Sequence, residues 1–296
     1  MAEEVLARNR SRQINELGRA WYKFSGNSLS VVGLVIVVTI ILLAIFAPLI
    51  APYPKHAGAF VDFANANKPP SSVYWLGTDN VGRDILSRIF FALRSALLMG
   101  VVVLSVAVPV GASMGLIAGY FRGTIIDTII TRITDVFLAV PPLVLALAIA
   151  SMMTPNLTNA MLAISIMWWP WYTRLVYGMA SSLSREYFVR SAELSGGSWV
   201  HITIKELLPN CVSPILTKMT LDMGFVIMMG ASLGFVGLGE QAPAPALGNM
   251  VSDGAKYMPE QWWMTVFPAL TIMIIVLGFN LLGDGVRDLF ALEEKS

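Results

Sequence analysis

Among the stretches of this chain that carry no charged side chain are Leu29–Ile50, Ser95–Phe121 and Val136–Thr173. Each is at least as long as the roughly 20 apolar residues that a helix needs to cross a bilayer. In lipid the backbone N–H and C=O groups must be satisfied by the protein itself, which leaves helices or closed barrels. A barrel strand would read as about ten residues of alternating polarity, and the sequence has no such segments. The fold class is therefore an all-α polytopic membrane protein. The hydrophobic fraction of 56% and charged fraction of 13% agree, because a soluble domain carries about 25% charged residues. The net charge of +1, with no basic block, excludes a nucleic-acid partner. The single cysteine, Cys211, excludes an internal disulfide or a Cys-based metal cluster. His56 and His201 are far apart in sequence and read as ordinary loop residues rather than metal ligands.

The third apolar run is too long for one crossing. Thr154-Pro155-Asn156 divides it, since proline and the residue before it resist helix. Six transmembrane helices result, at about Leu29–Ile50, Ser95–Phe121, Ile133–Met153, Leu157–Met179, Cys211–Leu238 and Trp262–Leu282. An even number puts both termini on one side, and Lys and Arg decide which. One set of segments holds Arg8, Arg10, Arg12, Arg19, Lys23, Arg122, Arg132, Arg174, Arg185, Arg190, Lys205, Arg287 and Lys295; the opposite set holds only Lys55, Lys68, Arg83 and Lys256. The larger set is expected inside, so both termini are cytoplasmic. The organisation is then a cytoplasmic N-terminal segment 1–28, a membrane domain 29–290 and a tail 291–296. The membrane domain has an external segment at 51–94 and a large cytoplasmic loop at 180–210. The N-terminal segment does not read as a cleavable signal, because a long polar stretch precedes an apolar run too long for an h-region. It reads as an amphipathic lead-in, with Trp21, Tyr22 and Phe24 near the interface.

Connectors between spans are usually short, so the loop 180–210 is unusual. From Arg185 it reads REYFVRSAELSGG. Tyr187, Phe188, Ala192 and Leu194 give it an apolar side, and Gly196-Gly197 should stop the helix in a turn that needs positive φ. A second helical stretch, Ser198 to Leu208, is expected to end at Pro209. A solvated connector would explain a loop of this kind; a docking element for a soluble cytoplasmic partner explains its length and its apolar side.

Elsewhere, Thr78 or Asp79 suits a helix N-cap, with the helix running on through Val81 and Ile85. Asp79 with Arg83, and Asp84 with Arg88, would then share helix faces as i,i+4 pairs. Gly111, Gly115 and Gly119 form a ridge of small residues that admits another helix closely, and Gly230 with Gly234 repeats it. Pro141-Pro142 should bend the third span. Lys218 and Asp222 lie inside the fifth span, where charge defaults to a functional reading; their spacing fits either a self-neutralised pair or a lining of a substrate path. Asp135 reads as interfacial, and Asp284, Arg287 and Asp288 as partners of loop residues. No phosphate-binding G-x-x-x-x-G-K-[ST] occurs in the chain, and no nucleophile–base constellation is found.

Four stretches resemble one family. The loop positions Arg190-Ser191-Ala192, Gly196, Glu206 and Leu208-Pro209 resemble the "EAA" loop of ABC-importer permeases in the glycine, the Leu-Pro and their spacing. LGTDNVGRDILSR, Leu76 to Arg88, looks like the "GTDxxGRDxxSR" signature of the C-type subunit of the dipeptide, oligopeptide and nickel permeases. SLGFVGLGEQAPAPALGNM, Ser232 to Met250, and FNLLGDGVRD, Phe279 to Asp288, are similar to that subfamily's later motifs, with Leu247 where the family commonly has Trp. The resemblance implies a type I ABC importer permease fold in the cytoplasmic membrane of a bacterium or archaeon. It implies a homologous second permease, two cytoplasmic ATPases that hold the ATP and Mg, and an extracytoplasmic solute-binding protein. It implies no cofactor, metal or catalysis in this chain, and a cargo of peptides, nickel chelates, opines or related small solutes. It assigns ATPase docking to Tyr187, Phe188, Arg190, Ala192, Glu193, Leu194, Gly196, Leu208 and Pro209, and the subfamily signature to Gly77, Thr78, Asp79, Gly82, Arg83 and Asp84. The competing class, an ion-coupled secondary transporter, would show inverted repeats and unpaired intramembrane carboxylates; the sequence shows neither. A membrane-embedded enzyme would need clustered His, Asp or Glu at membrane depth.

Overall fold

A computed structural model of the chain describes residues 21–22 and 24–291. The first twenty residues of the N-terminal segment, Lys23 and residues 292–296 lie outside it, and with them several of the basic residues that set the expected orientation. The described residues form helices α1 (Ser28–Ile50), α2 (Ile85–Tyr120), α3 (Ile125–Ala139), α4 (Pro142–Ser151), α5 (Leu157–Leu183), α6 (Tyr187–Leu194), α7 (Trp199–His201), α8 (Leu208–Phe235), α9 (Leu247–Ala255) and α10 (Trp263–Ala291).

Local chemistry sets the starts. Asn27, Asp84, Asn156 and Ser198 each place a side-chain oxygen on an N–H of the first turn, of Leu29, Ser87, Asn159 and His201 respectively. Among the described residues, four helices are long and apolar enough to cross a membrane: α1, α2, the α7–α8 unit and α10. The bent pair α3 and α4 makes a fifth if it counts as one crossing. α5 has the length, 27 residues, but its run Trp168-Trp169-Pro170-Trp171-Tyr172-Thr173-Arg174 is far less apolar than the others.

Several boundaries differ from the sequence reading. The second span starts at Ile85 rather than Ser95 and is 36 residues long; at 1.5 Å per residue it is about 54 Å, well beyond a hydrocarbon core of about 30 Å. The bend at Pro141-Pro142 is present and is a 90° break. It leaves α3 and α4 as separate helices, because Pro142 has no N–H to continue α3 and Val140 before it is extended. Pro209 does not end the second loop helix. A π turn at Ile202–Leu207 joins α7 to α8, with the Leu208 N–H donating to Thr203 O, so the chain runs on through Pro209 into the span.

Two apolar cores share α2 and α8. One gathers the later half of α2 with α4, α5 and the buried side of the α6–α8 loop, including Tyr172, Val176, Val189, Ile202 and Leu207. The other gathers α1, the first turns of α2, α9 and α10, around Ile85, Leu93, Leu247 and Ile275. Leu247, the departure from the subfamily's tryptophan, is a buried member of this second core.

The most extensive helix contact is between α2 and α5, and the glycine ridge makes it. A Cβ at Gly115 would lie 2.7 Å from Thr173 O and 2.8 Å from Val176 Cβ; one at Gly119 would lie 2.6 Å from Ala180 Cβ, and Gly111 abuts Trp169 and Tyr172 in the same way. Thr173 Oγ1 donates to Gly111 O at 3.1 Å across the contact. Gly230 faces Met99 and Gly234 faces Asn249, so the second glycine pair also marks close approaches.

Candidate functional site

Two polar regions stand at opposite ends of α2. At its C-terminal end lies the α6 loop. Val189 is fully buried and anchors α6 to the first core. Tyr187 and Leu194 are 87% and 90% exposed, and Phe188 is 40% exposed. Ala192 is partly buried and packs against the first core. The helix ends in a double closure: Gly196 N–H donates to Glu193 O and Gly197 N–H to Ala192 O, both at 3.0 Å, with Gly196 at φ +85°. This is the left-handed turn expected from the sequence.

The rest of the loop is braced by residues that the sequence did not single out. Tyr120, at the end of α2, donates to Glu193 Oε1 at 3.1 Å, and Phe121 packs against Trp199 with ring centroids 5.8 Å apart. The signal was available: an aromatic pair closes the second span, and another aromatic opens the return helix. Arg190 is exposed, as is Pro209 at the start of α8, while Leu208 is half-buried.

At the other end of α2 the segment Gly77–Asp84 folds as a loop, not as a helix. Thr78 cannot cap, because its hydroxyl donates to Asn65 O at 2.6 Å and accepts from Lys68 N–H at 2.8 Å. Asp79 closes the loop on itself: Oδ1 accepts from the N–H groups of Val81 and Arg83, and Oδ2 from Arg83 Nε at 2.7 Å. The Asp79–Arg83 pair therefore forms, but across a turn. The expected Asp84–Arg88 pair does not form. Asp84 spends its carboxylate as N-cap on the Ser87 N–H and hydroxyl, and Arg88 turns to Asp79, His56 O and Pro243 O. Gly77 and Gly82 both have φ near +80°, and Gly82 rests directly on the Asp62 carbonyl, which suits a residue without Cβ.

His56 joins this network. Its Nδ1 accepts the Asp84 N–H at 2.9 Å, so that nitrogen carries no proton, and its ring stacks on Tyr53 and Phe60. Burial holds its pKa below the usual 6.5, against the opposing pull of Asp84, Asp79 and Asp62. A base with a depressed folded-state pKa leaves its stabilisation intact above pH 6.5. As pH falls below that value, the unfolded imidazole binds protons first and the folded state loses ground. The melting temperature of the purified protein is expected to fall between pH 7 and pH 5, and His56→Gln to flatten that fall; an unchanged slope in the variant would rule out His56 as its source.

Lys218 and Asp222 meet within α8. Lys218 Nζ lies 3.1 Å from Asp222 Oδ1, and Trp168 Nε1 of α5 donates to Asp222 Oδ2 at 2.9 Å. The ammonium also lies 5.8 Å and 5.5 Å from the ring centroids of Trp171 and Tyr172, within cation–π range. Asp222 is buried while Lys218 is partly exposed. Asp222→Ala leaves two donors facing protein, and is expected to destabilise by about 1–2 kcal/mol. Lys218→Met/Asp222→Met is expected to restore most of that. A stable double variant with wild-type transport would make the pair structural; one that cannot transport would put it on the solute path.

Three other acidic residues have local partners. Asp135 pairs with Arg174. Asp127 of α3, which the sequence did not flag, is buried, accepts the Gly123 N–H at 2.8 Å and receives Tyr177 Oη at 3.4 Å. Asp288 accepts from Asn27 Nδ2 at 3.4 Å. His201 lies on α7, remote from His56 on the far side of α2.

The family described as the binding-protein-dependent transport system inner membrane component matches residues 107–292. The N-terminal TM domain of oligopeptide transport permease C matches residues 16–70. Among curated relatives, a probable D,D-dipeptide transport system permease protein of Escherichia coli (strain K12) is 38% identical, covering 98% of this chain and 96% of its own. A dipeptide transport system permease protein of Alkalihalophilus pseudofirmus is 41% identical over 93% and 89%. A glutathione transport system permease protein of Pectobacterium atrosepticum is 37% identical over 93% and 90%. Among solved structures, an inward-facing conformation of the MetNI methionine ABC transporter superposes with a TM-score of 0.51 at 18% identity, covering 68% of this chain and 94% of that one; the likeness is one of fold.

Proposed function

Because the chain belongs to the family of binding-protein-dependent transport system inner membrane components, and its N-terminal region to the oligopeptide permease C type, we propose that it is one of two permease subunits of an ATP-driven importer of short peptides. The cargo class comes from its relatives, whose names specify dipeptides and glutathione. The observation that carries the mechanism is α6: a short helix, anchored by one buried valine, that presents Tyr187, Phe188 and Leu194 to solvent at the end of α2. Side chains of this size left exposed on an ordered loop suit a partner surface. In this reading α6 enters a groove on a cytoplasmic ATPase, which holds ATP and Mg, and a second, homologous permease does the same. Nucleotide-driven closure of the ATPases draws the two α6 helices together and opens the permease pair toward an extracytoplasmic solute-binding protein. Nothing favours an ion-coupled transporter working alone, since Asp222 is neutralised by Lys218 and held by Trp168.

Counting the bent pair α3–α4 as one crossing and α5 as another gives six, with both termini and α6 in the cytoplasm. A reporter active only outside the cytoplasm is expected to work when fused near Lys68 and to be silent near Arg190. The reverse pattern would put α6 on the wrong side for an ATPase and overturn the reading. ATP-dependent uptake of labelled alanyl-alanine by cells expressing the full set of subunits, and its loss without this chain, tests the cargo.

A further inference from the structure

α1 and α10 pack antiparallel along their lengths. Gly33 rests on Leu281 and Leu282, Gly278 on Ile36, and Gly285 on Ser30. Followed toward the other end, this register brings Ile50, the last residue of α1, level with Met264, the second residue of α10. Both helices are free of charge up to that end. Two uncharged spans that stop flush mark one face of the bilayer. The segment Ser71–Thr78 is strung across this boundary. On one side Tyr53, three residues past α1, donates its hydroxyl to Val73 O at 3.2 Å and packs on Tyr74 with ring centroids 5.3 Å apart. On the other side Trp263 Nε1 donates to Thr78 O at 3.3 Å, and Gly77 rests on the Trp263 ring. Tyr74 and Leu76 turn inward, onto Tyr53 and the second core. Val73 and Trp75, which alternate with them, are 58% and 67% exposed, and Trp262 beside Trp263 is 45% exposed. The chain from 51 to 76 adds two exposed cations, Lys55 and Lys68, while its one acid, Asp62, is half-buried and accepts from Asn65 Nδ2 at 2.6 Å.

We propose that Val73, Trp75 and Trp262 form an anchor that sits in the headgroup layer of the bilayer, with Lys55 and Lys68 toward lipid phosphate. Indole suits this layer, where its ring leaves water and its N–H still finds a partner. The strip also continues the exposed apolar side of α1, which ends in Leu49 and Ile50, so lipid that covers α1 already reaches its edge. An apolar strip at this level is covered by lipid without any further partner, whereas in water it would stay bare. The anchor fixes the level of the Gly77–Asp84 loop and, through the Asp84 cap, of the first turn of α2. It goes beyond the importer reading and needs only α1 and α10 as spans.

The test reads Trp75 itself, in proteoliposomes holding the full chain with its partner subunits. Subtracting the emission of the Trp75→Phe complex from that of the wild type leaves the Trp75 contribution. Phosphatidylcholine brominated high on its acyl chains should quench this contribution several-fold more strongly than the same lipid brominated at the chain ends, and aqueous acrylamide should quench it little. A bimane on Val73→Cys, attached before assembly while Cys211 is buried, should be quenched in the same order; it leaves Trp75 in place and decides the matter where Trp75→Phe folds poorly. Quenching by acrylamide alone, by neither agent, or most strongly at the chain ends overturns the anchor. If added solute-binding protein then shields the strip from acrylamide, the strip is a protein-docking face instead. Uptake of alanyl-alanine is scored on the same vesicles. Uptake with a water-exposed strip overturns the anchor alone, and headgroup-level quenching without uptake supports the anchor and overturns the importer reading alone.

Discussion

Gly115→Leu is expected to leave little folded protein in the membrane. The position lies at the middle of the α2–α5 contact, where even a Cβ would sit 2.7 Å from the Thr173 carbonyl oxygen and 2.8 Å from Val176 Cβ. Those neighbours include backbone, α5 lays buried Tyr172, Val176 and Ala180 along this same contact, and the Trp168–Asp222 hydrogen bond ties α5 to α8. A leucine therefore has to force the helices away from each other. Overpacking alone costs about 1–3 kcal/mol, and separation of this contact adds lost packing along the ridge. About 3 kcal/mol in all shifts the folded fraction roughly a hundredfold. The comparison is Gly178→Leu on α5, where nothing lies within 4 Å; it should accumulate and transport like the wild type. Equal yield of the two variants, measured by size-exclusion profile and uptake, would mean that the ridge does not carry the contact.

Tyr187→Glu/Leu194→Glu is expected to do the opposite: a permease that inserts and melts normally but transports nothing. Both side chains are almost wholly exposed, so their replacement disturbs little inside the molecule, while two carboxylates would be desolvated at an apolar partner surface. Loss of hot-spot contacts of this kind typically costs about 2 kcal/mol or more each, so ATPase binding should weaken by about a hundredfold or more. Co-purification of the ATPases and substrate-stimulated ATP hydrolysis read this directly. Gly196→Asp should show a milder form of the same defect. Its Cβ would meet open space, so only the φ of +85° opposes it, at about 1–2 kcal/mol. Val189→Ala should instead loosen the loop by removing its buried anchor. Full ATPase recovery with the double glutamate variant would reduce α6 to a connector.

What was legible in the sequence was whatever depends on composition and period. The uncharged runs gave the long helices, because a bilayer tolerates little else. The i,i+4 glycines gave the ridge, and Gly196-Gly197 gave the turn after α6. What failed did so where a distant part of the chain competes for a side chain. Thr78 looks like an N-cap until Asn65 and Lys68 take its hydroxyl. Asp84 and Arg88 have the spacing of a pair, but the cap and the carbonyls of His56 and Pro243 claim them first. Pro209 looks like a stop, and a π turn carries the helix past it; no residue pattern announces such a turn. In the α6 loop the apolar residues were legible, but which of them is the anchor was not. Val189 sits within the run Tyr187-Phe188-Val189, and only its packing into the first core beside the π turn Ile202–Leu207 separates the buried one from the exposed ones.

The length of α2 has a mechanical meaning. One end is tied to the Gly77–Asp84 loop through the Asp84 cap and Arg88, and the other holds the α6 loop through Tyr120. A rod of about 54 Å that pivots by about 5° at one end sweeps its far end through roughly 5 Å, the rise of a single helical turn. The glycine ridge is on this rod, so α5 travels with it. Pro109, inside α2, marks where the rod is weakest in bending. In the proposed importer, a small change of angle at the end of α2 that faces the ATPases would in this way be geared up into a displacement at its other end as large as a dipeptide is long, without any helix having to unwind.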